Sequence, residues 1–493
     1  MPSTSQTRAG YRRALPALVG VILVLASLGV SPSRAAVVAD SGLSAEWRAS
    51  AAWAADSRTR QTRACRSGGD YGRDNGSGYY GGYGLSARQW TRFGGDAFGD
   101  DAAAADRRSQ NLVAWRLYEQ LGWRALRCLQ SDWMDVVYRS APKTSISKML
   151  LPGSHDAGSS RIETAPPCDV QTISAASWLE PLIGANPCAV AAMAKAQGQN
   201  LGAQLRAGSR YLDMRVGVPL SQQIASTGQP VTPAGDPTEV PLVLHHNIVS
   251  QRLTRGLRQV QRFVAKHPRE QVVLDFQHLD FTGDQYVLDY YKNALGRLLH
   301  EYAPGATNSV CRTSWSKNKV PTADSRLGTG VGIGELWEVE RSILVLFPDG
   351  EMPSDDCYRN RDAVLISLWP NTEDPQTSLS DNLSWLNQRE AKLSGASACR
   401  DSQGQWCQIY ISQLQLSMQI AAQAGCVANT TAMCSLEYYA GLVNNGIANK
   451  LMRWRFKRDL PVNIAMIDFM TDTDPDLPDA LLRGNWRIAD GNM

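Results

Sequence analysis

The 493-residue sequence lacks the signatures of several common protein classes. Its N-terminal apolar run, Leu15 to Val30, contains a proline and two glycines and is short for a bilayer span. None of its ten cysteines forms a CxxC pair or lies close to a histidine, which argues against a zinc site. The glycine run from 328 to 334 lacks both GxGxxG spacing and a P-loop lysine, so we predict a turn-rich connection there.

An excess of charge is also missing once the N-terminus is set aside. Residues 1–35 hold four of the 50 Lys and Arg and none of the 47 Asp and Glu. Their removal leaves 46 basic against 47 acidic residues, a formal charge of −1. No general attraction to nucleic acid or to an anionic membrane follows from this balance, and we expect no nucleic-acid partner.

The start of the chain is typical of a secretory signal peptide. Three arginines precede the apolar run, and small-residue cleavage candidates follow at Ala35 and Ala39. We predict cleavage after residues 1–35, with a membrane anchor as the alternative. A secreted, extracellular protein with an even number of cysteines favours disulfides, with Cys399 to Cys407 and Cys426 to Cys434 as local staples. Sequons at Asn75, Asn382 and Asn429 would be glycosylated only in a eukaryotic pathway.

The remaining chain divides by composition into an extension, 36–110, and a main domain, 111–493. From 40 to 105 the sequence is rich in Ala, Gly, Tyr, Asp and Arg without a sustained apolar period, so we predict irregular or partly disordered chain. A small subdomain held through Cys65 is the alternative. The apolar spacing from 111 to 138 predicts a helical lead-in to the main domain.

The main domain alternates short apolar runs with helical or turn-rich segments, which predicts a parallel sheet closed into an α/β barrel. Ser250 to His267 has the apolar stripe of an amphipathic helix, and Gln413 to Ala424 is helix-like. The predicted strands are Lys148–Leu151, Tyr211–Val216, Leu242–His245, Val272–Phe276, Ile343–Phe347, Val364–Leu368 and Asn463–Phe469, with Cys407–Ile411 as the best candidate for an eighth.

Polar side chains follow the ends of these strands. The run that ends at Leu151 is predicted to enter a Pro-Gly turn that delivers an imidazole and a carboxylate side by side. Because strand ends of a (β/α) barrel converge on one mouth, we expect the polar residues to meet there. They are His155, Asp156, Asp213, Arg215, His246 and Asp468.

Two imidazoles, carboxylates to orient them and a guanidinium suit phosphodiester cleavage. One imidazole can take a proton from an attacking hydroxyl while the other gives a proton to the leaving oxygen. Arginine can hold the phosphoryl group and stabilise its developing charge.

The ordered motifs resemble the X-domain family of phosphatidylinositol-specific phospholipases C, within the PLC-like phosphodiesterase superfamily. The resemblance covers roughly residues 130 to 470. It depends on LPGSHDAGS, GSRYLDMR, LHHN, the HPRE that precedes VVLDF, and VNIAMIDF. It implies a distorted TIM (β/α) barrel and cleavage of phosphatidylinositol-type lipids, including GPI anchors, to diacylglycerol and an inositol cyclic phosphate.

The resemblance also implies roles for the matching residues. His155 would be the general base that deprotonates the inositol 2-hydroxyl, and Asp468 would orient it. His246 would be the general acid, assisted by Asp156. Arg215 would hold the phosphate with support from Asp213.

Comparison with calcium-using members of that family implies a metal-independent site without a cofactor, since a guanidinium stands where the cation would be. The corresponding positions here are Asp156, Asp213, Arg215 and Gln277. Past the fourth strand, His278 could contact substrate. The glycine expected after the second histidine is Asn247.

Membrane contact would be peripheral. The segment 177–184 could dip apolar side chains into an interface, although packing beneath a loop is an equal alternative. We expect a monomer. A phosphodiesterase for another lipid head group and a non-catalytic lipid- or protein-binding relative remain alternatives.

Overall fold

The computed structural model describes residues 32–74, 79–126, 132–225, 239–300, 309–315, 331–353, 355–393, 408–431, 433–444, 446–471 and 476–491. Residues 1–31 of the predicted signal peptide, Asn75, and the predicted pair Cys399 and Cys407 lie outside these residues. The strands are β1 Tyr79–Tyr80, β2 Leu85–Ser86, β3 Leu151–Ser154, β4 Tyr211–Gly217, β5 Val243–His246, β6 Ile248–Arg252, β7 Val272–Asp280, β8 Ile343–Phe347, β9 Arg359–Asn360, β10 Leu365–Leu368, β11 Ile409–Gln413 and β12 Ile464–Ile467.

The main sheet is a curled parallel sheet, the α/β barrel architecture that the sequence predicts. Its strands follow the order β10-β11-β12-β3-β4-β7-β8-β9, and every neighbouring pair is parallel. In the described residues β9 and β10 end this path without pairing to each other, so the barrel is incompletely closed. The strands are buried because helices cover the outside of the barrel.

One predicted barrel strand is not part of the barrel. The segment predicted as Leu242–His245 forms β5, which pairs antiparallel with the end of β4 and with β6. Its apolar alternation is that of any half-buried strand, and the sequence pattern does not distinguish the two orientations. The eighth strand is close to the predicted one, since β11 follows Cys407 and pairs with both β10 and β12.

The start of the first barrel strand also differs from the prediction. Residues 146–148 form a turn of 3₁₀ helix, and the predicted Pro-Gly turn is part of β3. Gly153 is required there because a Cβ would lie 2.9 Å from Ile464 Cγ2 on β12. His155 therefore comes directly after a strand rather than after a turn.

Seventeen helices are described. They are α1 Pro32–Ala55, α2 Ser57–Ser67, α3 Ala87–Arg92, α4 Arg107–Leu121, α5 Trp133–Tyr138, α6 Glu180–Ala185, α7 Pro187–Ala194, α8 Leu201–Arg206, α9 Leu253–Lys266, α10 Gln285–His300, α11 Ile333–Glu338, α12 Arg361–Val364, α13 Pro375–Leu393, α14 Ile420–Ala428, α15 Leu436–Asn444, α16 Ile447–Lys457 and α17 Asp476–Ala489. No helix among the described residues is long and apolar enough to cross a membrane.

Two of the predicted helices are present with shifted starts. Helix α9 buries the predicted stripe but begins three residues late, because Ser250 to Arg252 belong to β6, which pairs with β5. Helix α14 begins at Ile420 because Gln413 belongs to β11.

The N-terminal region is folded, and the prediction of irregular chain from 40 to 105 is wrong for its described residues. Helices α1 to α4 and the β1–β2 hairpin enclose a core of their own around Tyr83, Leu85, Trp90 and Leu117. Helix α2 has no apolar period, since its sequence is SRTRQTRACRS. Tertiary contacts rather than amphipathicity hold it, which is why the pattern missed it.

Disulfides link Cys168 to Cys188, Cys311 to Cys357 and Cys426 to Cys434, and the last of these confirms a predicted staple. The sequon at Asn382 is not available for glycosylation in this fold. Its side chain is fully buried and donates to the carbonyls of Ser378 and Gln413 at 2.9 Å each.

Candidate active site

The first imidazole lies where β3 meets β12. The His155 amide donates to the Ile467 carbonyl at 3.1 Å, and Asp468 is the next residue of that neighbouring strand end. His155 Nδ1 is 2.6 Å from Asp468 Oδ1. A carboxylate accepts hydrogen bonds, so the proton of the neutral ring lies on Nδ1 and Nε2 is left with its lone pair. This is the tautomer that a general base requires.

The second imidazole approaches from the β5–β6 hairpin. His246 Nδ1 lies 2.9 Å from the carbonyl of Ala194, which can only accept, so Nδ1 carries a proton. His246 Nε2 lies 3.1 Å from Asp156 Oδ2. Two acceptors would repel at this distance, so one proton must be shared between the imidazole and the carboxyl group.

The two rings face each other. Their centroids are 5.7 Å apart with an interplanar angle of 82°. Asp156 lies between them, with Oδ2 3.3 Å from His155 Nε2. His245 points away, as the two-residue period of a strand predicts, and its Nε2 lies 3.3 Å from Asp280 Oδ2.

Arg215 completes the group from β4. Its Nη2 is 3.1 Å from His155 Nε2, and its Nε contacts Asp156 Oδ1. The register between β4 and β7 shifts between Asp213 and Arg215. The Arg215 side chain is 20% exposed whereas the Asp213 side chain is fully buried, so only the guanidinium reaches the cavity.

Asp213 positions Asp156, whose carboxylate contacts both imidazoles. Its Oδ2 accepts from the Asp156 amide at 3.0 Å, and Asp156 has a φ of 38°, in the left-handed region that non-glycine residues rarely adopt. Asn247 also has a positive φ, 61°, which explains why glycine or asparagine suits the position after the second histidine.

Burial and charge set opposing protonation states in this group. Burial alone lowers the pKa of His155, but the carboxylates of Asp156 and Asp468 outweigh it and raise that pKa to about 9. Burial raises the pKa of Asp156 to about 7, although Arg215 and His155 lower it. Burial, with Arg215 and His155 nearby, holds the pKa of His246 well below its usual range. The shared proton therefore lies on the Asp156 side near neutral pH.

The rings of His155 and His246 and the Arg215 guanidinium line one cavity of about 340 Å³. Its other walls are apolar or neutral and include Trp178, Leu182, Met193, Trp369, Asn371, Gln415 and Met418. In this described lining Arg215 is the permanent charge. The cavity therefore pairs a compact charged end with a wide apolar wall.

All six polar strand-end residues of the sequence prediction come together here. His278 is exposed and pairs in register with Arg215 on the adjacent strand, but it does not line the cavity. Sequence reasoning missed Trp369 and Gln415, which follow β10 and β11. Trp369 directly follows the predicted strand Val364–Leu368 but was not considered, because the strand-end rule was applied to polar side chains. Gln415 lies past the predicted end of the eighth strand at Ile411, which the structure moves to Gln413.

Gln197 was missed as well. Its Nε2 donates to the carbonyls of His155 and Ile467 at 2.8 and 3.0 Å, and its Oε1 accepts from the amide of Met470. It fixes the chain on both sides of the His155–Asp468 pair. A lone glutamine in a loop gives no sequence signal of such a role.

His155, Asp156 and Asp213 also place their ligand atoms within 4.8 Å of one another, a spacing that could hold a metal ion. The guanidinium of Arg215 contacts Asp156 and lies 4.0 Å from Asp213 Oδ2. The positive charge of Arg215 therefore already lies beside the carboxylates that would have to bind the cation.

Comparison with known proteins divides the chain into two parts. The chain is 25% identical over 268 residues to PI-PLC X domain-containing protein 3 from Bos taurus and from Homo sapiens, which covers 53% of this chain and 71% of each relative. Over that length the chain is similar to the PI-PLC X domain-containing proteins. Phosphatidylinositol-specific phospholipase C from Listeria monocytogenes aligns at a TM-score of 0.39 and 14% identity, over 72% of this chain and 97% of that one.

The N-terminal region matches a different family. Residues 53–128 match the model of the transglycosylase-like domain. Resuscitation-promoting factor Rpf1 of Corynebacterium glutamicum is 40% identical over 76 residues, which are 15% of this chain and 39% of that relative. The chain thus contains a segment that is similar to the transglycosylase-like domain and a longer part that is similar to PI-PLC X domain-containing proteins.

Proposed function

We propose that this protein is a secreted phosphodiesterase that cleaves phosphatidylinositol-type lipids by acid–base catalysis between two histidines. The observation that carries the proposal is the pair of imidazoles 5.7 Å apart, open to one cavity beside a guanidinium. The sequence relationship of the barrel to PI-PLC X-domain proteins supports the choice of substrate class. The three disulfides are consistent with an oxidising compartment.

In the proposed reaction the inositol 2-hydroxyl attacks the phosphorus atom. His155 Nε2 takes the hydroxyl proton, and Asp468 stabilises the imidazolium that forms. The bond from phosphorus to the glycerol oxygen breaks, and the proton shared by His246 and Asp156 moves to that oxygen. The products are diacylglycerol and inositol 1,2-cyclic phosphate, so atoms and protons balance without a further reactant.

Arg215 binds the phosphate in this proposal. Its guanidinium is partly exposed at the cavity and is held through Asp156. A phosphate oxygen within reach of the guanidinium would gain stabilisation as charge builds in the transition state. Because the same guanidinium occupies the carboxylate cluster, we propose that turnover is independent of metal.

The apolar wall of the cavity supports peripheral membrane contact. Trp178, Trp369 and Ile420 line the cavity and are 61%, 54% and 83% exposed. Large apolar side chains grouped at an active-site mouth are costly in water and stable in a lipid interface. Trp178 falls in the segment that the sequence marks for this role.

The decisive experiment supplies the purified protein with phosphatidylinositol, phosphatidylcholine and a GPI-anchored protein, each with and without EDTA. Phosphorus NMR should detect inositol cyclic phosphate from the inositol lipids, at the same rate with chelator. Cleavage of phosphatidylcholine that stops with EDTA would replace the proposal by a metal-dependent phosphodiesterase. Absence of any product would leave a non-catalytic lipid-binding relative.

We propose a second function for the N-terminal domain, which the match over residues 53–128 favours. Transglycosylases act on glycan strands, so this domain would direct the protein to a glycan. Sedimentation of the protein with insoluble glycan tests this function independently of lipid turnover.

A further inference from the structure

The ionisable groups of the N-terminal domain differ from those that glycan cleavage requires. Glycosidic bonds are broken with the help of a carboxylic acid whose pKa is raised, usually by burial. None of the eight carboxyl groups from 53 to 128 is buried: seven residues are exposed and Asp101 is half-buried. The eight groups belong to Asp56, Asp70, Asp74, Asp96, Asp100, Asp101, Asp106 and Glu119.

Several of these acids have local structural roles. Asp56 caps α2 by accepting from the Arg58 amide, and Asp106 caps α4 by accepting from the Ser109 amide. The bonds from Ser109 lower the pKa of Asp106, which is the opposite of what an acid catalyst needs. Asp101 accepts from the amide of Ala104 in a turn.

The charged residue buried in this domain is a cation. Among the described residues from 53 to 126, Arg66 is the one charged residue that is buried, with 7% of its surface exposed. Its Nη2 donates to the Gly84 carbonyl at 2.8 Å, and its Nε donates to the Tyr83 carbonyl. A guanidinium does not deprotonate in proteins and cannot serve as the acid.

The same domain carries a group of aromatic side chains at the edge of its core. Trp53 stacks on Tyr83 at 5.6 Å and on Tyr118 at 5.4 Å, and Tyr71 meets Tyr83 edge-on. Tyr83 is buried, whereas Trp53, Tyr71 and Tyr118 are half-buried and so keep part of their rings in solvent. We call Trp53, Tyr71, Tyr83 and Tyr118 the aromatic cluster.

Polar groups surround the aromatic cluster in fixed positions. The hydroxyls of Tyr71 and Tyr83 both donate to Asn111 Oδ1, at 2.8 and 2.7 Å, and Arg63 Nη1 donates to the Tyr83 hydroxyl at 2.8 Å. Partly exposed aromatic rings beside ordered hydrogen-bonding groups match the apolar faces and hydroxyl rims of a sugar ring.

We propose that the N-terminal domain holds a glycan strand on the aromatic cluster without cleaving it, and so retains the barrel at a glycan-bearing surface. This inference depends on the glycan-directed function proposed above. The name of the matching family implies cleavage of a glycan. We infer binding without cleavage because the buried charged residue among the described residues from 53 to 126 is Arg66 and no carboxyl group there is buried.

The test uses the full chain with insoluble chitin and with purified bacterial cell-wall sacculi. The protein should sediment with at least one of them, and chromatography should detect no soluble glycan fragments. Tyr71→Ala should weaken retention about tenfold, the loss expected from one aromatic contact. Tyr71→Phe should give an intermediate loss, and Tyr286→Ala, at an exposed tyrosine of the barrel, should give none.

The outcomes distinguish failure of the inference, that glycan is bound but not cleaved, from failure of the proposed glycan-directed function. Soluble fragments released by the wild-type protein would overturn the absence of cleavage but uphold a glycan-directed domain. Failure to sediment with either glycan, without fragments, would overturn the glycan-directed function itself. Equal retention of wild type and Tyr71→Ala, each with normal circular dichroism, would remove the aromatic cluster as the binding surface.

Discussion

The candidate active site of the barrel and the N-terminal domain bury charge in opposite ways. The active site buries the carboxylates of Asp156, Asp213 and Asp468 around two imidazoles and one guanidinium. The N-terminal domain leaves its carboxylates outside and buries Arg66 against main-chain carbonyls. Buried acids shift pKa values and can move protons, whereas a buried arginine bonded to the backbone can only hold structure.

The largest expected effect removes an imidazole from the barrel. His155→Ala and His246→Ala should each lower lipid turnover by about 10² to 10⁴-fold, because each deletes one proton-transfer partner. Phosphorus NMR measures the cyclic product, and circular dichroism checks the fold. His300→Ala is the matched control, since His300 is half-exposed and pairs with Asp355 at the barrel surface. Full activity in either active-site variant would remove the mechanism.

The pH profile should be bell-shaped, because the mechanism needs His155 without its proton and the His246–Asp156 pair with one. The pKa of His155 is raised to about 9 and that of Asp156 to about 7. For phosphatidylinositol, kcat/KM should therefore climb about tenfold per pH unit below about pH 7, stay level between about pH 7 and 9 and fall above that range. A profile that keeps rising beyond about pH 9, or that is flat from about pH 5 to 7, would contradict these roles.

The variant Asp468→Asn sharpens the same comparison. It removes one of the carboxylates that raise the pKa of His155, so the fall in kcat/KM on the alkaline side should move to lower pH. The amide can also present an N–H to Nδ1 and favour the wrong tautomer, so maximal turnover should fall by at least tenfold. A lower rate with an unmoved profile would mean that Asp468 orients the ring without tuning it.

How well the sequence predicts the fold of the barrel and of the N-terminal domain depends on the kind of interaction that stabilises each one. His155, Arg215 and Asp468 were predictable because parallel strands bring their ends together. The direction of β5 was not, because antiparallel and parallel strands share one apolar alternation. The N-terminal domain was missed because Ser67 and Gln110 bind main-chain groups at Gly82, and such contacts have no period in the sequence.

Trp178→Ala should separate membrane contact from chemistry. Its side chain is 61% exposed at the cavity mouth, so its loss should lower turnover on phosphatidylinositol vesicles about tenfold. Turnover of a soluble short-chain inositol phosphodiester should change little. Leu121→Ala, at an exposed apolar residue of the N-terminal domain, is the control. Equal losses on both substrates would place Trp178 in the chemical step instead.

The smallest expected effect is on stability and concerns a contact between the N-terminal domain and the C-terminal helix α17. The Arg73 guanidinium lies 3.8 Å from the centre of the Trp486 ring on α17, and burial lowers the pKa of Arg73. Arg73→Ala should lower the free energy of unfolding by about 1 kcal/mol, the usual worth of a partly desolvated cation–π contact. Denaturant unfolding measures this loss, with Arg88→Ala as an exposed control. Lipid turnover should persist, because Arg73 touches none of the buried carboxylates; a loss of turnover would show that the docked N-terminal domain helps to shape the barrel site.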